Sequence, residues 1–494
     1  LAGAGTFTNG TNSTLNIASG SPSVTTFTTS ASGNTVNYNG AAQTCRNVSY
    51  ANLSFAGSGA KTCAVTSISG NLTMSGSPTW TLGGNLTVSG DATLTGTAYI
   101  YPSGFSVTVN GTLTGSDHIL YICASAQTGD WNQASTWSNC NGTYPQSADS
   151  ATISTGHTVT VPSGTFTVGD ITVSTGGFLV NNGTITVTNA TTVTGSVTNN
   201  SIFNTSGNLT GGGSWTQGTG STLNAAGGTT NAMAVTTVDF STNVNTVNYN
   251  GTTQTCKTTT YHHLTVGNSS TFTCATTSIL GDLTKSGLGS WVLTSTLNIV
   301  GNLVGTAGSI TTGAFAFTVN GTTTITGDGN FHGMTLNLSS NTGAKTFVGL
   351  VTVTSASSGV GVLSGASTNI VFQNGITVTS YAGSGGIGGN LNLSGTSTFT
   401  GDQTITIIDS TGVPGLTTIV VSGGTTLNTS GTNKTINMNS ATVTGTLVNG
   451  SGVTLSSSST TASAYTINGT FTNNGTLTLS GSTTNVVLAG AGTF

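Results

Sequence analysis

Six cysteines, ten acidic side chains and five histidines are the residues of this chain best suited to chemistry. The cysteines fall into pairs. Cys45 and Cys63 are 18 residues apart, Cys256 and Cys274 are again 18 apart, and Cys123 and Cys140 are 17 apart. An even count at matched spacing predicts disulfides between sequence neighbours, and with them an oxidising compartment. A zinc site would need C-x-x-C or close Cys/His spacing, and neither occurs. The acidic residues are all Asp and are scattered. Their densest group, with two histidines, is Asp117, His118, Asp130, Asp149 and His157. A polysaccharide lyase or hydrolase needs carboxylates gathered on one face. Turn positions for the aspartates, and a strand-entry position for His157, are the favoured reading. His262 and His263 are adjacent on a predicted strand, so they should face opposite ways, a poor metal geometry. No calcium repeat, nucleophile elbow or phosphate loop is present. No catalytic, metal or cofactor residue is therefore assigned.

The elements that must position these residues are unusual. Charged residues are 3% of the chain, the net charge is −4, there is no Glu, and Gly numbers 73 against six Pro. Mean hydropathy is +0.14. A chain poor in Ala, Leu, Glu and Lys disfavours helices, while Thr and Val favour strands. Alternations such as "FSVTVNGTLTG" and "TITVTNATTVTGSV" read as short strands between Gly/Asn/Ser turns. The charge balance offers no basic footprint for nucleic acid. No apolar run approaches the length of a membrane span.

Repeats organise the strands. "NTVNYNGAAQTCRNVSYANL" at 34–53 returns as "NTVNYNGTTQTCKTTTYHHL" at 245–264, an offset of 211 that also relates Cys63 to Cys274 and Trp80 to Trp291. Upstream, "LAGAGTFTNGTNSTLN" at 1–16 matches "LTGGGSWTQGTGSTLN" at 209–224, and "LAGAGTF" recurs at 488–494. Coils of about 20 residues with short strands and tight turns predict an all-β fold, a parallel β-helix or β-solenoid. Stacking at about 4.8 Å would give about 25 coils and a rod of roughly 120 Å. It would also set cysteines one coil apart within disulfide range. Inward side chains should be Val, Ile, Leu, Phe and Ala, with Thr and Ser outward and Asn ladders at the turns. The expected segments are a first Cys-containing stretch over 1–117, a Trp/Cys excursion over 118–160, coils over 161–208, the second Cys-containing copy over 209–325, and coils over 326–494. Trp131 and Trp137 should pack inside the excursion. With so few charges, stability should vary little between about pH 5 and 9.

The stretch "VNYNGAAQTCRNVSYANLSFAGSGAKTCAVTSISGNLTMSG" at 36–76 resembles repeats of large secreted β-helical, adhesin-like surface proteins of bacteria, of the kind found in Bacteroidetes and uncultivated lineages. The copy at 247–287 departs from it, with His263 in place of Asn52 and Phe272 in place of Lys61. A second segment, "GDWNQASTWSNCNGTYPQSADSATISTGHTVTV" at 129–161, is similar to a Trp/Pro/Asp/Gly-His pattern of the same proteins, with Gly129, Trp131, Trp137, Pro145, Asp149, Gly156 and His157 on its positions. The resemblance implies an extracellular adhesin or structural fibre.

The expected function is thus a non-enzymatic, extracellular structural solenoid. It is the unit of an axially stacked fibre or of a tandem giant surface protein, with copies of itself as partners. Leu1, Phe7, Leu488 and Phe494 are the expected end-to-end contacts. The alternatives are an adhesin stalk with its binding tip elsewhere, a carbohydrate-active β-helix enzyme, and a Thr-rich ice-binding solenoid. Glycans or cell surfaces are the other partners to consider. N-x-S/T sequons at Asn47, Asn52, Asn71, Asn85, Asn110, Asn141 and Asn182 read first as turn chemistry.

Overall fold

The computed structural model describes residues 1–228, 232–326, 334–338 and 343–354, and beyond them strands and short turns between 362 and 488. The described chain is a β-solenoid. It contains no α-helix, and its only helical pieces are the 3-10 turns Ser116–His118 and Ala134–Thr136. Parallel strands about one coil apart in sequence stack in register. The chain divides into two compact units, one built mainly from 1–205 and the other mainly from 238 onward.

In the first unit the early coils supply short strands to three parallel sheets. One holds Thr14–Ile17, Thr35–Tyr38, Asn52–Phe55, Leu72–Met74, Ala92–Leu94 and Leu113–Thr114; a second holds Gln43–Thr44, Ser58–Cys63, Ser77–Leu82 and Tyr99–Tyr101; the third holds Ser67–Ile68, Leu86–Val88 and Val107–Val109. The registers Leu53↔Leu72 and Leu72↔Ala92 set like residues over like, and all three are buried. Alternation decides the faces: Leu72 and Met74 point in while Thr73 is exposed. The corners need glycine. Gly57, Gly76 and Gly96 have φ of 80°, 80° and 73°. A Cβ on Gly76 would lie 2.5 Å from the Gly57 carbonyl oxygen of the coil before, and one on Gly96 would lie 2.7 Å from that of Gly76.

The second unit repeats this local construction. Thr246–Tyr249, His263–Val266, Leu283–Lys285, Leu303–Gly305, Thr323–Ile325 and Val351–Thr354 are consecutive strands of one parallel sheet.

The core departs from the expected apolar set. Lys61, Lys285 and Lys345 are buried, at 2%, 0% and 0% exposure. The reason is parity: Lys61 shares a strand face with Cys63, and Lys285 shares one with Leu283. Long methylene stems carry each ammonium to backbone carbonyls at a corner.

The two copies place their bulk differently. In the first, Phe55 stacks in register on Tyr38 and lies edge-on to Trp80, with ring centroids 5.2 Å apart, while Lys61 lies in register beside Trp80. In the second, Val266 replaces Phe55 and Phe272 replaces Lys61. The edge-on contact to Trp291, at 5.3 Å, then comes from Phe272. The lysine moves to 285, where the first copy has Met74. An aromatic ring thus reaches the same tryptophan from a neighbouring position. Phe55→Val alone should cost about 1–3 kcal/mol as a cavity, and Lys61→Phe alone about as much as overpacking. The double substitution should cost at least about 1 kcal/mol less than the sum, measured by chemical denaturation in a double-mutant cycle.

Candidate functional site

Three constructions gather the chemistry-bearing residues. The first is a cross-linked clamp present twice. Cys45–Cys63 and Cys256–Cys274 join neighbouring coils, with Cα–Cα distances of 4.9 and 5.0 Å. Cys45 N–H also donates to the Thr62 carbonyl at 2.9 Å, and Cys256 N–H to that of Thr273 at 2.9 Å. Beside each disulfide lies a buried tyrosine pair. The Tyr38 and Tyr50 hydroxyls are 3.0 Å apart; Arg46 N–H donates to Tyr38, and Tyr50 donates to the Arg46 carbonyl. The Tyr249 and Tyr261 hydroxyls, 2.9 Å apart, hold Lys257 in the same way. Each pair therefore fixes both backbone groups of the residue that follows the first cysteine. Burial raises the pKa of all four phenols, Tyr249 to about 12.

The second construction is a ladder along the coil corners. Asn52 Oδ1 accepts Asn71 N–H, Asn71 Oδ1 accepts Asp91 N–H, and Asp91 Oδ1 accepts Thr112 N–H, all at 2.8 Å. In the second copy His263 Nδ1 accepts Asp282 N–H, Asp282 Oδ1 accepts Asn302 N–H, and Asn302 Oδ1 accepts Thr322 N–H, also at 2.8 Å. His263 thus does for its ladder what Asn52 does for the other. His262 lies in the corner ahead of the strand His263–Val266, where strand alternation does not operate. The expectation that the two rings face opposite ways is therefore overturned: their centroids are 4.8 Å apart.

The buried lysines act at the corners too. Lys61 Nζ donates to the carbonyls of Gly40 and Ala41 and to Gln43 Oε1, at 2.8, 2.6 and 3.0 Å. Lys345 Nζ donates to the carbonyls of Gly313, Phe315 and Gly343, and Lys285 Nζ to those of Gly287 and Ala307. Burial lowers all three pKa values, that of Lys285 to about 8. Between about pH 8 and the unfolded value of 10.5 the unfolded chain holds more protons than the folded one, so stability rises with pH there. The buried phenols reverse the slope above about pH 10, because the folded state then retains protons that the unfolded state loses. Melting temperature should therefore climb from pH 7.5 to about 9.5 and then fall. Lys285→Met should flatten the climb. This expected climb departs from the near-constant stability read from the sequence between about pH 5 and 9.

The third construction is the excursion. Its strand Ile122–Ser125 runs antiparallel to Trp137–Ser138, and Cys123–Cys140 closes it. Trp131 and Trp137 are buried edge-on to each other, 4.9 Å apart, and Trp137 Nε1 donates to the Trp131 carbonyl at 2.7 Å. Between the end of the first coils and the excursion lies a cavity of about 290 Å³. Val107, Leu113, Ile119 and Tyr121 line it on one side, with Asp117 and Asp149 among its polar lining. Of the grouped acids and histidines, only Asp117 and Asp149 meet here. Asp149 is buried, and its two carboxylate oxygens accept Tyr121 N–H at 2.8 Å and Gln146 N–H at 2.7 Å. Burial pushes its carboxyl up against the pull of those two donors, and burial beside Asp149 raises Tyr121 to about 12. His118 donates Nδ1–H to the Ala98 carbonyl at 2.7 Å. His157 Nδ1 lies 2.9 Å from Ser125 Oγ at the entry to the strand Thr158–Val161. Asp130 is exposed. Both oxygens of Asp149, the one buried carboxylate among the described residues, are occupied by structural donors, so it serves as a pin. Among the described residues no group of three or more His, Cys, Asp or Glu could hold a metal.

Of the expected end contacts, Leu1 is 60% exposed and Phe7 stacks on Phe27 with ring centroids 5.6 Å apart. Leu488 closes the strand Asn485–Leu488, and Phe494 lies outside the described residues.

Clamp, ladder and pinned excursion are the fittings of a disulfide-bonded β-solenoid, and that class is what the fold and these sites define. No family model, curated protein or solved structure matches the chain.

Proposed function

We propose that the protein is a non-enzymatic, extracellular structural solenoid whose periods continue one into the next along the coil axis. An internal junction carries this reading. In the first unit Thr210–Trp215, within the second copy of the heptamer-like segment, lies alongside Thr191–Val193 and Ser196–Asn199 in one sheet. Ser214 N–H donates to the Gly195 carbonyl at 2.9 Å, and Trp215 is buried edge-on against Phe203 at 4.9 Å. The preceding residues, "GSVTNNSIFNTSG" at 195–207, match "GTFTNNGTLTLSG" at 469–481. Their strands match as well: Ser196–Asn199 with Thr470–Asn473, and Ile202–Thr205 with Thr476–Leu479. The heptamer follows again, at 488–494.

Ala2–Thr8 pairs with Ser23–Thr28. A preceding coil of the 469–481 type would pair with Ala2–Thr8 as 195–199 pairs with Thr210–Trp215. The three disulfides support an oxidising, extracellular setting. The occupied carboxylate and the buried tryptophans support a structural reading of the excursion over a sugar-processing one.

The test is a polypeptide of two periods sharing one heptamer. Hydrogen exchange at the shared heptamer should match the protection of Thr210–Trp215, and electron micrographs should show one continuous particle. Two separate particles with an unprotected shared heptamer would overturn the proposal.

A further inference from the structure

The two ladders share one geometry and differ at their first rung. Asn52 offers an amide oxygen, which cannot take up a proton in the physiological range. His263 offers a ring nitrogen, which can. The Asp282 N–H has only one proton to give and points it at Nδ1, so that nitrogen must carry a lone pair and the ring proton must sit on Nε2. A proton on Nδ1 would turn the acceptor into a second donor facing the first. A substitute acceptor is at hand: Asp282 Oδ2 lies 3.7 Å from Nδ1. Protonation therefore exchanges a backbone rung for a side-chain ion pair within the same two residues.

We propose that His263 is an acid-sensitive rung, holding the corner at Gly281–Asp282 to the strand His263–Val266 while neutral and releasing it when protonated. The ring has little freedom to satisfy both arrangements. It packs on Gly281, where an added Cβ would come within 2.6 Å of His263 Nδ1. The titratable groups that face it are His262, its neighbour in the corner, and Asp282 from the next coil. On the preceding coil the adjacent group is Asn245, whose carbonyl accepts His263 N–H at 3.0 Å and which does not titrate. Burial and the neighbouring His262 hold the ring neutral, outweighing the attraction of Asp282. A base whose pKa is lowered on folding lends stability above its unfolded value, near 6.5, and loses it as pH falls below that. Opening therefore belongs to mildly acidic conditions. The first copy, with Asn52, is the built-in control.

The experiment is hydrogen exchange resolved to single amides on the intact chain, together with NMR of 15N-histidine-labelled protein. The expected results are an Nε2–H tautomer for His263 at pH 7.5 and titration below 6.5. Over the same range Asp282 N–H protection should fall roughly five- to tenfold, while Asn71 N–H protection stays constant after correction for intrinsic exchange. In His263→Asn the Asp282 protection should become independent of pH. An Nδ1–H tautomer at pH 7.5, or Asp282 protection that ignores the titration, overturns the proposal. So does a pH response that survives His263→Asn. The tautomer and protection readings come from the unsubstituted chain, so the test stands even where the variant folds poorly.

Discussion

Reduction of the disulfides should produce the largest loss of stability available to this protein without changing a side chain. Each bond closes a loop of 17 or 18 residues, for which restriction of the unfolded chain contributes about 3 kcal/mol. The coils of a solenoid contact mainly their neighbours, so the loss should be local. In Cys45→Ser/Cys63→Ser the strands Gln43–Thr44 and Ser58–Cys63 should become cleavable by protease at denaturant concentrations that leave the Cys256–Cys274 region intact. The reciprocal pair, Cys256→Ser/Cys274→Ser, should show the reverse pattern. The tyrosine pairs sharpen the outcome. Tyr50 and Tyr261 each donate to the carbonyl of the residue after a cysteine, so losing the bond frees that residue and exposes a buried phenol pair. Tyrosine absorbance should then titrate nearer its ordinary value of 10.0 in the affected copy. Unchanged protease resistance after complete reduction would mean that the ladders alone hold the coils.

Removing the pin of the excursion should have the second-largest effect. Asp149→Ala leaves the Tyr121 and Gln146 N–H groups without their charged acceptor in a buried site. Stranded buried donors cost about 1–3 kcal/mol each, more when the lost partner was ionised, so a local loss of about 3–5 kcal/mol is expected. Asp149→Asn keeps the shape and one acceptor oxygen but turns an NH2 group toward the second donor, and should lose about half as much. Fluorescence of the buried Trp131 and Trp137 should shift to the red in Asp149→Ala at lower denaturant than in the parent. A small and equal effect of both substitutions would show that Cys123–Cys140 and the tryptophan pair hold the excursion unaided.

The candidate sites were legible to different depths, for physical reasons. A parallel stack repeats each position once per coil, so cysteines one coil apart in sequence are neighbours in space, and the matched spacing of 18 marks the clamp in the sequence itself. Strand parity carried the buried lysines equally openly, since Lys61 stands two residues before Cys63 and Lys285 two after Leu283. Reserving the interior for apolar residues hid them. The tyrosine pairs left a trace as well, because Tyr38 and Tyr50 recur at the same offset as the cysteines. The ladders were readable only as a tendency of Asn to line turns. Which Asn, Asp or His becomes a rung depends on where each corner falls.

By itself the sequence determined the all-β solenoid, the duplicated cross-linked copy, the heptamer cadence and the near absence of charge. Each of these is periodic, and a period of one coil translates directly into a stack with a fixed register. Only the tertiary structure decided what happens where the period breaks. It brought His262 and His263 into contact at a corner, set Asp149 under two backbone donors and opened a cavity beneath the excursion. It also moved the aromatic partner of the tryptophan from Phe55 in one copy to Phe272 in the other. At a corner, alternation restarts and side-chain direction is set by the backbone bend and by what the neighbouring coil presents. Those contacts are formed by residues distant in sequence, and no local pattern encodes them.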